Sequence, residues 1–472
     1  MNILFLEDQK KWLNTVLPEL NNIPHVVIHH VENHDDAISL LEGQEIYIDF
    51  ALLDLAVPLN SNNPTPDLEH GLALAWYIRN NFPGIPITFL TGQSTEEAVE
   101  KFEEENTFTI FWDGQEKPLV RVKQKRQIVK VLDEIKSIAE LLFDIDEIEV
   151  ECGRSLKLHL HELRILKLFC KHKNGTAVEV KQIGEGLSSS KVLNVTLLNS
   201  SGNPIHYALA KIDKKKTAEI ERDNFNSHIV QLNVGSFPAY INEYYAGCGS
   251  KKGVFFQFAS DYKLDFFDTL LTSDDDSYNV ATKTKRIFQN WIQNKASRKV
   301  SICDVRRSLC SDIKFEKVTK YLLDNGISLD GFENNTMNVN YSVQHADLHG
   351  MNILISDLKE PLIIDYGDVK SCPSTVDSVT LELSHFFHPK MKGKFTPSKD
   401  LAQYWFDEEK YLEHTTNPKT AKFLRNWSNE NKYLSKEYAA VVYAYSIRQL
   451  TYPDTNKEFA TELIRSAIAE FD

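Results

Sequence analysis

Three short apolar runs near the start of the chain each end in a polar group, and this pattern limits the fold more than any other feature. Ile3-Leu4-Phe5-Leu6 ends in Glu7-Asp8, Phe50-Ala51-Leu52-Leu53 ends in Asp54, and Ile87-Thr88-Phe89-Leu90 ends in Thr91. Lys117-Pro118 completes the set. Between these strands, segments such as 35–42 and 71–80 carry apolar residues at helical spacing. An open α/β sheet gathers the groups at the carboxyl ends of successive parallel strands into one place. The expectation is a doubly wound parallel sheet in which Glu7, Asp8 and Asp54 cluster. Such carboxylates repel one another and are poised to bind Mg²⁺.

On these residues, segment 1–143 resembles the receiver domain of two-component response regulators over nearly its whole length. The resemblance implies Asp54 as phosphoacceptor, Glu7 and Asp8 with it as Mg²⁺ ligands, Thr91 as the hydroxyl that senses the new phosphoryl group, and Lys117 as its counter-charge. It also implies a sensor histidine kinase or another phosphodonor as partner, and allows a homodimer through the receiver. Two stretches depart from the receiver pattern. Pro58 follows Asp54 as expected, but the loop 59–70 is longer than usual and rich in Asn and Pro. Trp112-Asp113-Gly114-Gln115-Glu116 before Lys117 is expanded, leaving Gly114 near the place of an aromatic switch residue, for which Phe111 or Trp112 substitutes.

A second signature lies far downstream. His345-Ala346-Asp347-Leu348-His349-Gly350-Met351-Asn352 is followed by Ile363-Ile364-Asp365-Tyr366-Gly367. Phosphoryl transfer from ATP needs little covalent help, so a protein must position a nucleophile and neutralise charge with metal ions. Asp347 suits a base or orienting group, and Asn352 and Asp365 suit a metal gripped from opposite sides. Ile353-Leu354-Ile355 and Leu362-Ile363-Ile364 read as a strand pair joined by a polar turn, a rigid frame for both ligands.

The run from His345 to Leu354 resembles the catalytic loop of aminoglycoside phosphotransferase and choline kinase-like enzymes, and Ile364-Asp365 resembles their metal-binding pair. The resemblance implies a two-lobed protein kinase-like fold that uses ATP and Mg²⁺, with Asp347 as base and His349 where Ser/Thr kinases carry Lys. Upstream, Ile183-Gly184-Glu185-Gly186-Leu187-Ser188-Ser189-Ser190 lies between two alternating stretches, as a phosphate-covering loop would. Gly184, Gly186, Ser188 and Ser189 are its nucleotide-binding candidates. Tyr207-Ala208-Leu209-Ala210-Lys211-Ile212 then supplies an apolar strand whose inward Lys211 meets the phosphates, and the helix expected over 217–230 offers Glu221, or alternatively Glu219, to orient it.

The segment 144–177 reads as a helical connector, or alternatively as the start of a winged helix over about 160–205. Residues 263–340 read as mainly helical, with the run Asp274-Asp275-Asp276 as a loop. Lys283, Lys285, Arg286, Arg298, Lys299, Arg306 and Arg307 form a positive excess suited to an anionic partner or to a solvated face. Beyond the metal strand, 377–387 and 438–450 read as core helices without catalytic groups.

A net charge of −14 argues against broad nucleic-acid binding, and no apolar run is long enough to cross a bilayer. Six cysteines, none in a Cys-x-x-Cys pair, and an amino terminus that enters a strand directly point to the cytoplasm. The whole reads as a multidomain chain, α/β plus α+β: a receiver over 1–143, a connector over 144–177, a kinase-like N-lobe over 178–262 and a helical C-lobe over 263–472. The function expected is transfer of the ATP γ-phosphoryl group to a hydroxyl acceptor, small-molecule or protein, gated at Asp54. The alternative is a nucleotide-holding scaffold that signals by docking.

Overall fold

The computed structural model describes residues 1–472 apart from 44–45, 93–107, 155, 184–190, 396 and 472. The described chain forms two compact units. Met1–Glu219 and Ala239–Phe258 make the first, and Ile220–Pro238 with Ala259–Asp472 make the second.

The first unit opens with β1 (Asn2–Leu6), α1 (Lys10–Asn21), β2 (Val27–Val31), α2 (His34–Glu42), β3 (Phe50–Asp54), α3 (Leu68–Asn81) and β4 (Ile87–Thr91). A short hairpin, β5 (Phe108–Ile110) with β6 (Glu116–Pro118), precedes β7 (Val120–Gln124) and α4 (Ile128–Asp146). The strands form a wholly parallel sheet in the order β2-β1-β3-β4-β7. Apolar residues on both faces explain this arrangement. Leu4, Leu6, Ala51, Leu53 and Phe89 pack with Leu41 and Leu74 from α2 and α3. Ile3, Phe5, Phe50 and Leu52 face the other way, against Leu13 and Val16 of α1 and Val131 and Ile135 of α4. Each of the Leu, Ile, Val and Phe side chains among them contributes about 1.5–3 kcal/mol relative to leaving it exposed.

Next come β8 (Glu149–Cys152), α5 (Leu160–His172), β9 (Ala177–Gln182), β10 (Lys191–Leu198), β11 (Pro204–Lys214), α6 (Lys215–Ser227), β12 (Tyr240–Tyr244) and β13 (Lys251–Gln257). They build a six-stranded sheet ordered β12-β13-β11-β10-β9-β8, antiparallel except for β8 beside β9. The segment expected to be only a helical connector thus holds α5 but also adds an edge strand to this sheet. The winged-helix alternative is overturned, because Lys191–Leu198 pairs as a strand on both sides.

The second unit contains β14 (Leu264–Asp265), α7 (Phe266–Thr272), α8 (Asp274–Ile287), α9 (Gln289–Gln293), β15 (Ala296–Ser301), α10 (Ile302–Leu309), α11 (Asp312–Asp324), β16 (Thr336–Gln344), β17 (Ile353–Ile355), β18 (Pro361–Ile363) and β19 (Lys370–Pro373). Helices α12 (Val376–Phe387), α13 (Lys399–Gln403), α14 (Glu408–His414), α15 (Pro418–Asn431), α16 (Ser435–Leu450) and α17 (Lys457–Ala469) follow, with α16 buried along most of its length. The 263–340 stretch is less helical than expected, because β15 pairs along its whole length with the first part of β16. Asp274, Asp275 and Asp276 are not a loop but the first turn of α8, capped by Ser273, where acids complement the helix dipole. The basic excess is largely paired: Lys283 with Glu360, Lys285 with Glu430, Arg306 with Glu333 and Arg307 with Asp312. No helix among the described residues is long and apolar enough to cross a membrane.

Candidate functional site

Two sites emerge, one in each unit. In the first, β1 and β3 are neighbours in register, so their carboxyl ends bring Glu7, Asp8 and Asp54 together, with one carboxylate oxygen of each within 4.8 Å of the others. Glu7 and Asp54 are buried, as is Thr91 at the end of β4. Burial pushes the Glu7 carboxyl up to about 7, with the Asp54 charge adding to it and Lys125 opposing. Burial likewise raises Asp8. The buried Oδ1 of Asp8 accepts no hydrogen bond among the described residues. Hard oxygens, excess negative charge and an unsatisfied carboxylate oxygen fit a divalent cation such as Mg²⁺.

The expected counter-charge is corrected. Lys117 lies on β6, outside the parallel sheet, and pairs with Asp113. The fifth strand of the sheet is β7, and just past its end Lys125 places Nζ 2.7 Å from Asp54 Oδ2 and 2.8 Å from Glu7 Oε2. Burial works against this ammonium, but its bonds to Asp54 and Glu7 outweigh that and raise it.

Glu7 also sets a pH dependence. Its folded value near 7 exceeds the ordinary 4.5, so the folded cation-free state binds the proton more tightly than the unfolded chain does. Stability of that state therefore falls as pH rises from 4.5 through about 7, and a cation held by these carboxylates would relieve the loss. Thermal unfolding should show a larger stabilisation by Mg²⁺ at about pH 8 than at about pH 6. Equal shifts would separate Glu7 from the cation.

In the second unit, β17 and β18 pair Ile353 with Ile363 and Ile355 with Pro361. The Ile364 N–H donates to the Asn352 carbonyl at 3.0 Å, which sets Asn352 and Asp365 side by side at one end of the hairpin. The buried Asn352 donates from Nδ2 to the Asp347 carbonyl at 2.8 Å. Ala346 and Asp365 sit in the left-handed region, at φ 61° and 66°. Burial alone would raise the Asp347 carboxyl, yet Arg448 at 2.7 Å, with His349 and His345 adding, holds it well below the usual carboxylate range. Burial pushes the His349 imidazole down from its ordinary value, while the charges of Asp347 and Asp365 oppose the shift.

Several supporting residues escaped the sequence reading. Asp377, on what read as a plain core helix, accepts the N–H groups of His345 and Ala346, both at 2.9 Å. Its carboxyl is pushed up to about 6, chiefly by burial. His345 Nε2 meets the Ile364 carbonyl at 3.0 Å. Glu221, which the sequence did single out, is buried on α6 and accepts from the Tyr366 N–H at 2.8 Å, and the unanticipated Asn224 donates to the Tyr366 carbonyl at 2.7 Å. One helix face thus clasps the residues after Asp365. Lys211 is buried on β11 between Val192 and Val254. Gly184, Gly186, Ser188 and Ser189 lie outside the described residues.

No family model matches the chain, and no curated protein matches it. Solved structures do. A CheY-like response regulator receiver domain from Methanospirillum hungatei JF-1 is 15% identical, covers 29% of this chain and 95% of its own, and gives a TM-score of 0.21. Aminoglycoside phosphotransferase APH(4)-Ia is 12% identical over 64% of this chain and 97% of its own, with a TM-score of 0.36. An aminoglycoside-3'-phosphotransferase of type VIII is 14% identical over 64% of this chain and all of its own, at 0.35. The fold rests on the chain's own topology: a parallel 2-1-3-4-5 sheet order, then a largely antiparallel sheet, a helix and the β17–β18 hairpin. The chain joins a receiver fold to a kinase-like fold.

Within the first unit the receiver and the N-lobe sheet meet through main chain. Gly84 donates to the Gly249 carbonyl and accepts from the Gly247 N–H, both at 2.7 Å. Side chains close the joint. Tyr47 donates to the Gly247 carbonyl, His172 Nε2 meets the Trp112 carbonyl at 3.0 Å, and Arg164 reaches Asp49 at 3.1 Å and Asp146 at 3.0 Å. Trp112, in the expanded stretch, packs so tightly that a Cβ on Gly247 would lie 2.6 Å from its Nε1.

Proposed function

We propose that this chain is an ATP-dependent phosphotransferase whose kinase-like domain responds to phosphorylation of Asp54 in its receiver. The observation that carries the reading is the loop and hairpin holding Asp347, Asn352 and Asp365, with Asp347 kept ionised and fixed by Arg448. In this reading Asp347 aligns the acceptor hydroxyl, whose oxygen bonds to the γ-phosphorus as the bond to the leaving ADP oxygen breaks. The hydroxyl proton departs toward Asp347 or solvent. Lys211 on β11 is the candidate phosphate clamp, and Glu221 keeps the segment after Asp365 in place. Asn352 and Asp365 would hold Mg²⁺, which supplies charge neutralisation for the phosphates. The acceptor is a hydroxyl of a small molecule, and the phosphodonor for Asp54 is a sensor kinase or a small acyl phosphate.

The test is ATP consumption by the full chain with Mg²⁺, with and without a small phosphodonor, beside Asp54→Asn. Consumption that changes with the donor in the parent and not in Asp54→Asn supports the reading. Binding of Mg-ATP without consumption under any acceptor would replace it with a nucleotide-holding scaffold.

Gating has a route within the first unit. Gly247 has φ 70°, so Gly247→Ala strains the backbone and drives a methyl group into Trp112. The variant is expected to take up phosphoryl at Asp54 normally and to lose the response of ATP consumption to it. An unchanged response would remove the joint from the signalling path.

A further inference from the structure

Arg448 lies on the last turn of α16, far in sequence from the catalytic loop it touches. Its Nη2 donates to Asp347 Oδ1 at 2.7 Å, Nη1 approaches the Ala346 carbonyl at 3.4 Å, and Nε meets the Tyr452 hydroxyl at 3.3 Å. Among the described residues, the other carboxylate oxygen of Asp347 has only His349 Nε2, at 3.9 Å, beyond hydrogen-bond reach. The Ala346–Asp347 pair is therefore held from two sides. Asp377 takes the two amide groups before Asp347, and Arg448 takes the carbonyl and the side chain. That grip acts on a residue that resists it, since Ala346 has φ 61°, where an L side chain is strained.

We propose that Arg448 is a positioning residue for phosphoryl transfer: by occupying Oδ1 of Asp347 together with the Ala346 carbonyl, it leaves Oδ2 as the one carboxylate oxygen aimed at the acceptor hydroxyl. The inference rests on the phosphotransferase reading above. A planar guanidinium can hold a carboxylate and a carbonyl at once in fixed geometry, which a lysine ammonium on a flexible stem cannot reproduce. The role is orientation, so it belongs to the transfer step and not to nucleotide binding.

The experiment measures kcat and KM for Mg-ATP consumption by the full chain, in the parent and in Arg448→Lys, Arg448→Met, Asp347→Asn and the Asp347→Asn/Arg448→Met double variant. Denaturant unfolding of the same set reports which variants stay folded. The expected result is a kcat lowered by about 10²-fold in Arg448→Lys and Arg448→Met with KM for Mg-ATP nearly unchanged. In the Asp347→Asn background, Arg448→Met should cause no further loss, because the two act as a unit. Where Arg448→Met fails to fold, Arg448→Lys carries the test. Parental kcat in a folded Arg448→Lys overturns the positioning role alone. So would full additivity of the two losses. A parent that binds but never consumes ATP overturns the phosphotransferase reading itself, and the role of Arg448 in transfer with it.

Discussion

Asp347→Asn is expected to lower ATP consumption by about 10²- to 10⁴-fold while leaving Mg-ATP binding close to that of the parent. Asn keeps the size of Asp and an oxygen for Arg448, so the loop retains its shape. It lacks the charge and the second acceptor that align the hydroxyl. The carboxyl of Asp347 is held well below the usual carboxylate range, despite burial, by Arg448, His349 and His345. A depressed folded pKa contributes stability above the ordinary value of 3.8 that is lost as pH falls toward the folded value. The Asn variant should lack this acid-sensitive contribution, which unfolding curves at low pH would show. Consumption at the parental rate in Asp347→Asn would assign the hydroxyl-aligning role elsewhere.

Lys125→Ala should abolish most phosphoryl incorporation at Asp54 from a small phosphodonor, whereas Lys117→Ala should leave it nearly intact. The geometry separates the two lysines. Lys125 is only 11% exposed, bridges Asp54 and Glu7, and lies 4.7 Å from the Trp12 ring centre. The Lys117 side chain is 34% exposed and engaged with Asp113. Removing Lys125 strands buried carboxylates, a change that costs about 3 kcal/mol in comparable sites and that Mg²⁺ would partly offset. Phosphate incorporation and unfolding, each measured with and without Mg²⁺, check both statements. An equal loss from Lys117→Ala would restore the original assignment.

The sequence made the acid cluster legible because β1, β3 and β4 are buried on both faces, and a strand so placed must be apolar throughout. The fifth strand escaped for the opposite reason. Val120–Gln124 is at the sheet edge, alternates with charged residues, and follows a hairpin insert whose Lys117-Pro118 imitates the expected ending. The loop 345–352 was readable because its spacing follows from the chemistry proposed for it, and its strand pair lies close to where it was expected. Asp377 and Arg448 were not, since each sits on a helix whose apolar periodicity says core, and only the tertiary partner reveals its task. Strand β15 was missed because much of it is exposed and carries no apolar alternation. The acidic turn of α8 was read as a loop because the capping role of Ser273 was not weighed against the charge run.

The joint between receiver and N-lobe bears on how this chain could be taken apart. Phe5 and Leu52 of the receiver belong to the same continuous core as Ile165, Val178, Leu193 and Phe255 of the N-lobe, with Trp112 and Tyr245 also in it. Two domains that share an interior melt together, so the first unit should lose structure in one cooperative step. A truncation at the apparent end of the receiver would leave Tyr245, Ala246 and Cys248 without cover and the fragment prone to self-association. In this protein the receiver is also scaffolding: a foreign receiver spliced in its place would have to bring its own counterparts of Gly84 and Trp112 before the N-lobe sheet could stand.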